Sequence, residues 1–106
     1  DVSESRGLGD VYKRQIITTP KELGAYGVLD CGAFITAFTL AAAALGVSSI
    51  PQAAIAGRAT IVREVLNIHE DRDVLCAISF GFADTDHPAN NFRTQRANLD
   101  EFVEWV

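Results

Sequence analysis

The hydrophobic pattern predicts a long helix in the first half of the chain. From Cys31 to Leu45, apolar side chains surround the whole helical axis and do not form a single stripe. Such a distribution predicts a helix that is buried on most sides. Asp30 is suited to cap its start and Gly46 to end it. A separate short helical turn is predicted before it, ended by Gly24 and Gly27.

Five further segments follow the long helix. Residues 47–54, VSSIPQAA, are short and extended, and their proline keeps them out of the centre of a sheet. A second helix is predicted from Ala54 to Leu66. Val74–Phe82 is a nearly continuous apolar run of strand length, which predicts a buried central strand. Residues 83–100 form a long polar loop, and residues 101–106 a last helical turn or strand.

The predicted elements are buried helices around one central strand. A central strand needs neighbours, and this pattern supplies hardly any. We therefore expect that the 106 residues lack part of their own domain or borrow it from a partner.

Residues 1–15, DVSESRGLGDVYKRQ, follow neither a helical nor a strand period. One interpretation is an unstructured or loosely helical leader. We favour another, since SRGLGDVYKRQ resembles adaptor-derived sequence translated by accident, which makes residues 1–15 a non-native leader before a domain spanning 16–106.

Composition and charge narrow the functional classes. Apolar residues make up 48% of the chain, and the formal net charge is −5, the wrong sign for a general nucleic-acid binder. No signal peptide opens the chain, so a reducing cytoplasm is the simplest compartment. The uncharged span 31–57 is long enough to cross a bilayer, but it is rich in alanine and interrupted by polar residues. A helix of a soluble core is therefore favoured over a membrane span.

Cysteines and acidic residues offer only weak chemistry. Cys31 falls in the first turn of the predicted helix, where the helix dipole lowers a thiol pKa, but core packing is favoured for both Cys31 and Cys76. The sequence Asp84-Thr-Asp86-His87 could bind a cation, yet a polar turn is the simpler interpretation. We expect no metal site, and we place His69 in a solvated turn.

Two other features fit an anionic, heterocyclic ligand. Arg93 and Arg96 lie three apart in one polar loop and could grip a phosphate monoester, although on spacing alone solvated arginines that offset the nearby Asp100 and Glu101 are favoured. In the segment 50–54, IPQAA, small side chains precede a helix whose first N–H groups are unsatisfied. Those donors suit a flat heterocycle with carbonyl and ring-nitrogen acceptors.

Two long stretches together resemble one enzyme family. LDCGAFITAFTLAAAALGVSSIPQAAIAGRATIVREVLNI, followed by VLCAISFGFADTDHPANNFRTQRANLDEFVEW, resembles the C-terminal half of an FMN-dependent nitroreductase. The resemblance implies a nitroreductase-like α+β fold and an intertwined homodimer with FMN at the subunit interface. The alanine-rich helix would then be a helix of the dimer core.

The resemblance also implies roles for individual residues. Pro51 and Gln52, with the backbone of Ala53 and Ala54, would lie along one flavin face. The N–H groups of Ala53 and Ala54 would point at flavin N5 and O4 and stabilise the charge of reduced flavin. Arg93 and Arg96 match the phosphate-binding positions of the family. Gly81 matches a glycine at a strand end near the cofactor.

The implied chemistry is hydride transfer from NAD(P)H through FMN to nitroaromatic or quinone-type acceptors. The flavin does the chemistry, so no catalytic acid or base is assigned in the chain. Ile50 replaces the usual cysteine or small residue before Pro51, and the N-terminal half of the family's domain has no counterpart. We therefore expect the chain alone to bind FMN weakly and to be poorly active. The alternative is a non-enzymatic helical module for dimerisation or other interactions.

Overall fold

The computed structural model describes residues 8–106, which form a mixed helix and strand architecture. Five main elements follow one another: strand β1 (Leu8–Pro20), helix α1 (Gly24–Ala44), strand β2 (Ser48–Gln52), helix α2 (Ala59–Leu66) and strand β3 (Arg72–Ala83). Within the described residues the strands make one antiparallel sheet in the order β1-β3-β2. The predicted α+β class is confirmed.

Strand β3 occupies the centre of this sheet, as its apolar run predicted. Val74, Cys76, Ala77, Ile78 and Ser79 are all buried, so neither face of the strand is open to solvent. A strand covered on both faces needs apolar residues at consecutive positions instead of alternate ones. The prediction of one buried central strand is therefore confirmed.

Strand β1 is the largest departure from the predicted elements. Its backbone pairs with β3 almost throughout, with Gln15 opposite Ile78 and Ile17 opposite Cys76. The expectation of an unstructured or loosely helical leader is wrong from Leu8 onward, and residues 1–7 lie outside the described part. An edge strand takes its conformation from pairing with a neighbour, so its own pattern can be weak. That residues 1–15 are non-native stays a prediction.

Helix α1 begins at Gly24, earlier than predicted, and passes through Gly27 without a break. Asp30 therefore lies inside the helix and does not cap it. Gly27 is buried, and a Cβ there would collide with Thr19 Oγ1 and lie 2.9 Å from Leu23 Cβ. The glycine thus permits a close crossing of α1 over β1. The predicted stop is confirmed, since Gly46 takes a positive φ of 77° directly after the helix.

One face of α1 packs on the sheet. Cys31, Ile35 and Phe38, spaced four and three residues apart, cover the buried cluster of Ile17, Cys76 and Ile78. The ring of Phe38 meets that of Phe80 edge-on, with 5.5 Å between the centroids.

The other sides of α1 are open, so the prediction of a helix buried on most sides is wrong for the single chain. Leu29 and Leu40 are each 67% exposed. The apolar character around the axis is real, but the described residues supply cover for only one face. Residues Lys21–Ala44 are also long and apolar enough to cross a bilayer, judged by length and composition alone.

The predicted second helix is divided in the structure. Ala53–Arg58 form a 3-10 helix, and α2 follows from Ala59 and ends at Asn67, which takes the left-handed conformation with φ 53°. In the C-terminal part, Pro88–Asn91 and Leu99–Glu101 are further 3-10 helices. Residues 92–98 between them have no regular structure, in agreement with the predicted polar loop.

Candidate functional site

The segment Pro51–Ala54 lies at the junction where β2 ends and the 3-10 helix begins. Pro51 pairs with Ile78 and Gln52 with Ala77 at the end of the β2–β3 ladder. Strand β2 is an edge strand, the position in which a proline is tolerated. Pro51, Ala53 and Ala54 are exposed, whereas Gln52 is only 6% exposed. The junction therefore exposes small apolar side chains, and the Gln52 side chain between them is buried.

The backbone of this junction offers hydrogen-bond donors. The first N–H groups of a helix find no acceptor within the helix itself, and here they belong to Ala53 and Ala54. The preceding residue, Gln52, makes no side-chain cap hydrogen bond to them. Because alanine side chains are short, a flat group can approach these donors closely. The arrangement fits the polar edge of a heterocycle such as the flavin ring.

Gly81 lies at the opposite end of β2 from this junction. It pairs with Ser48, the first residue of β2, whereas Ala77 pairs with Gln52, the last. The four residue-to-residue steps from Ala77 to Gly81 separate the two pairs by about 13 Å along the strand. A single ligand that contacts both ends of β2 must therefore be extended.

Arg93 and Arg96 lie on the exposed stretch after the 3-10 helix Pro88–Asn91. Arg93 Nη1 donates to the carbonyl oxygens of Asn90 at 2.8 Å and Phe92 at 2.9 Å. Arg96 Nη1 donates to Thr94 Oγ1. All of these acceptors are close in sequence and neutral, so none of these contacts offsets the charge of either guanidinium group.

A buried polar contact beneath the junction was missed by reasoning from the sequence. Ser79 Oγ donates to Gln52 Oε1 at 2.8 Å, and Arg14 Nε donates to Ser79 Oγ at 3.3 Å. A signal for Ser79 existed, because a serine inside a buried apolar strand must find a polar partner. Nothing in the sequence indicated a role for Arg14, since it belongs to the stretch interpreted as a leader.

The cysteines are core residues in this structure. Because α1 begins at Gly24, Cys31 lies well inside the helix, and the dipole argument for an activated thiol no longer applies. Its Sγ lies 3.9 Å from the carbonyl oxygen of Thr18. Burial raises the pKa of the Cys76 thiol above its usual value, and the neighbouring Cys31 raises it further. A thiol that stays neutral is a poor nucleophile.

The Asp84–His87 stretch is a turn held by its own side chains. Asp84 Oδ1 accepts a hydrogen bond from the Asp86 N–H at 3.2 Å, and His87 Nδ1 accepts from the Ala89 N–H at 3.1 Å. His69 lies in another exposed turn, 2.8 Å from Asp71 Oδ1. The predicted polar turns are thus seen, and within residues 8–106 no group of three His, Cys, Asp or Glu side chains is placed to hold a metal ion.

Comparison with known proteins extends the observations from the site to the whole chain. The sequence profile described as the Nitroreductase family matches residues 9–82. Over 91 aligned residues, the chain is 28% identical to 4-nitrobenzoate reductase of Pseudomonas putida. The aligned region covers 86% of the chain and 40% of that protein. Over 72 aligned residues, the chain is 40% identical to nitroreductase NfnB of Mycolicibacterium smegmatis. That aligned region covers 68% of the chain and 30% of the relative.

A solved structure shares the fold. The FMN-dependent nitroreductase NfnB from Mycobacterium smegmatis, solved in complex with NADPH, superposes with a TM-score of 0.80 at 33% identity. The match covers 88% of the chain and 41% of that structure. The chain spans less than half the length of these similar proteins, and the predicted nitroreductase-like fold is confirmed for the part that it spans.

Proposed function

Because the chain belongs to the nitroreductase family, we propose that it forms the C-terminal part of an FMN-dependent oxidoreductase. That enzyme takes hydride from NADH or NADPH and passes it to nitroaromatic or quinone-type acceptors in the cytoplasm. Bound FMN supplies the redox chemistry, because its ring accepts and donates the hydride. The residues of this chain bind and orient the ring.

The observation that carries this proposal is the Pro51–Ala54 junction. It combines exposed small side chains with two N–H donors at the start of a 3-10 helix, on a rigid three-stranded sheet. Pro51 would pack against one face of the ring, and the N–H groups of Ala53 and Ala54 would hydrogen-bond its polar edge. Preorganised backbone donors of this kind stabilise negative charge at a fixed position without reorganising.

Arg93 and Arg96 are proposed to bind the FMN phosphate. Both side chains are exposed and lie three residues apart on one stretch without regular structure. Two guanidinium groups so close in the chain suit a dianionic phosphate. Gly81, opposite the first residue of β2, is proposed to lie near the cofactor.

A homodimer is proposed for the whole enzyme, with α1 in its core. The support is the exposed apolar surface of α1, which includes Leu29 and Leu40 on the side away from the sheet. The chain spans 40% of the length of the Pseudomonas putida protein, so we propose that it binds FMN weakly by itself and is poorly active.

The test is made on the protein expressed from the intact gene, with any residues that precede or follow this chain. We expect a yellow protein whose flavin absorbance bleaches when NADPH is added without oxygen and returns when a nitroaromatic acceptor follows. A colourless protein that takes up no added FMN contradicts the proposal. A dimer that takes up no FMN would instead support the non-enzymatic helical module.

A further inference from the structure

A line of polar side chains crosses the sheet beneath the Pro51–Ala54 junction. Arg14 on β1, Ser79 on β3 and Gln52 on β2 form it, with 3.3 Å from Arg14 Nε to Ser79 Oγ and 2.8 Å from Ser79 Oγ to Gln52 Oε1. Ser79 is 0% exposed and Gln52 is 6% exposed. The line therefore joins all three strands where water does not compete for the hydrogen bonds.

The chemistry of the three groups fixes the direction of these hydrogen bonds. A guanidinium can only donate, so Ser79 Oγ accepts from Arg14 and gives its own hydrogen to Gln52 Oε1. A charged donor polarises the hydroxyl that it binds and strengthens the next bond in the chain. The Gln52 carboxamide is thus held in one orientation from the centre of the sheet.

The buried side chain of Gln52 attaches the junction to the sheet. Pro51 before it and Ala53 after it are exposed, and the β2–β3 ladder ends at the pair of Gln52 with Ala77. Beyond that pair, strand pairing no longer restrains the backbone. The Gln52 side chain, bound to Ser79, therefore restrains the peptide that links Gln52 to Ala53.

We propose that Ser79 is a positioning residue that, together with Arg14, fixes the Gln52 side chain and so aims the N–H groups of Ala53 and Ala54. The proposal rests on the proposed function, in which those N–H groups meet the flavin ring. Ser79 does not touch the ligand. Its effect reaches the ligand through the angle of one peptide, to which a hydrogen bond is sensitive.

The hydrogen-bonded line is tested first in the chain without FMN, by NMR of the side-chain carboxamides. The Gln52 signal is assigned from Gln52→Leu, and Gln15 and Gln95 serve as internal references. We expect Ser79→Ala to move the Gln52 carbonyl ¹³C signal, because its oxygen loses a hydrogen bond. Ser49→Ala, a matched change on β2, leaves the signal in place. An unmoved Gln52 signal in Ser79→Ala overturns the proposal.

The positioning role is tested next in the protein from the intact gene. We expect Ser79→Ala to raise the Kd for FMN about tenfold, the effect of about one hydrogen bond. The reduction potential of the bound flavin becomes more negative, since misaimed donors stabilise reduced flavin less. In Ser79→Cys the side chain has a similar size and is a weaker donor, so the Kd and the reduction potential shift less, in the same directions. This variant replaces Ser79→Ala in the test if Ser79→Ala does not fold.

The outcomes separate the two proposals. A wild-type protein that takes up no FMN contradicts the proposed function, and the positioning role falls with it. If the wild type binds FMN and Ser79→Ala matches it in both Kd and reduction potential, the positioning role alone is overturned. In that case Ser79 only supports the sheet.

Discussion

At the scale of single residues, burial and partners separate side chains of the same type into different roles. Arg14 is half-buried and donates to Ser79, which belongs to the core. Arg93 and Arg96 are exposed and donate to neighbours in sequence, Arg93 to Asn90 and Phe92 and Arg96 to Thr94. The first arginine is tied to the sheet, whereas the other two are the ones proposed to bind the FMN phosphate.

The proposed phosphate contact gives a prediction for Arg96. In the protein from the intact gene, Arg96→Ala raises the Kd for FMN about tenfold or more, because a charged hydrogen bond to phosphate is lost. Fluorescence quenching during FMN titration measures the change. Lys21→Ala, which also removes one exposed positive charge, is the control and leaves the Kd unchanged. Equal affinities of Arg96→Ala and the wild type would remove Arg96 from the site.

Burial of Cys76 predicts a loss of stability at alkaline pH. Its pKa is raised in the folded chain, mainly by burial and further by Cys31. As the pH rises through about 9, the unfolded thiol loses its proton while the folded thiol keeps it. The free energy of unfolding therefore falls, by at most about 1.4 kcal/mol per pH unit for one proton.

Denaturant titration from pH 7 to 10 measures this slope. Cys76→Ala removes the contribution of the thiol, so its unfolding free energy declines less with pH than that of the wild type. In Cys31→Ala the Cys76 thiol still makes most of its contribution to the pH dependence, because burial is the larger cause of its raised pKa. Parallel curves for the wild type and Cys76→Ala would contradict the assignment.

At the scale of elements, the crossing of α1 over β1 depends on one glycine. Gly27 is buried against Thr19, whereas Gly32, one turn further along the same helix, has no side-chain or distant backbone atom near the position of a Cβ. The two glycines share an intrinsic cost in helix propensity and differ only in the space around them. They therefore form a matched pair for testing the crossing.

Gly27→Ala is predicted to destabilise the chain by about 1–3 kcal/mol, because the new methyl group forces α1 away from Thr19 and Leu23. Gly32→Ala is predicted to stabilise it by up to about 1 kcal/mol, the gain of alanine over glycine inside a helix. Chemical denaturation gives both values. Equal changes in the two variants would show that α1 does not cross β1 closely at Gly27.

At the scale of the whole molecule, the described residues leave a large apolar surface open. Leu29 and Leu40 project from α1 away from the sheet, and Phe102 and Trp105 near the C-terminus are 66% and 74% exposed. Exposed apolar surface of this extent marks an interaction site in a soluble protein. The proposed homodimer covers the α1 part of it.

A charge on the outer side of α1 tests that dimer. We predict that the protein from the intact gene is a dimer and that Leu40→Glu converts it to a monomer, because burying an unpaired carboxylate opposes association. Light scattering after size exclusion measures the mass. Thr60→Glu, an exposed position on α2, keeps the dimer. A monomeric wild type, or a Leu40→Glu variant that stays dimeric, would contradict the assignment of α1 to the interface.

Sequence patterns predicted the elements that are specified locally. The apolar run around Ile78 identified the central strand, and Gly46 marked the end of α1. The proline of the IPQAA segment placed β2 at an edge. Motif order in addition indicated the family, because the segments around Pro51 and Arg93 occur at fixed distances from the long helix. These features depend on residues close together in the chain, so one sequence suffices to find them.

Tertiary contacts decided the rest. Strand β1 was not predicted, because its conformation comes from pairing with β3 over more than fifty residues of intervening chain. Gly27 was interpreted as a helix stop, because only the crossing of β1 shows why a glycine is needed there. The exposure of α1 likewise depends on what lies beside it and not on its own composition.

The sequence by itself thus determined the class of fold, the central strand, the junction at Pro51–Ala54 and the two arginines proposed for the phosphate. Only the tertiary structure showed that Arg14 and Ser79 lie beneath that junction and hold Gln52. The physical reason is that hydropathy and turn preferences act between near neighbours in the chain. A hydrogen-bonded line across three strands instead joins residues that are far apart in sequence, and only the sheet register brings them together.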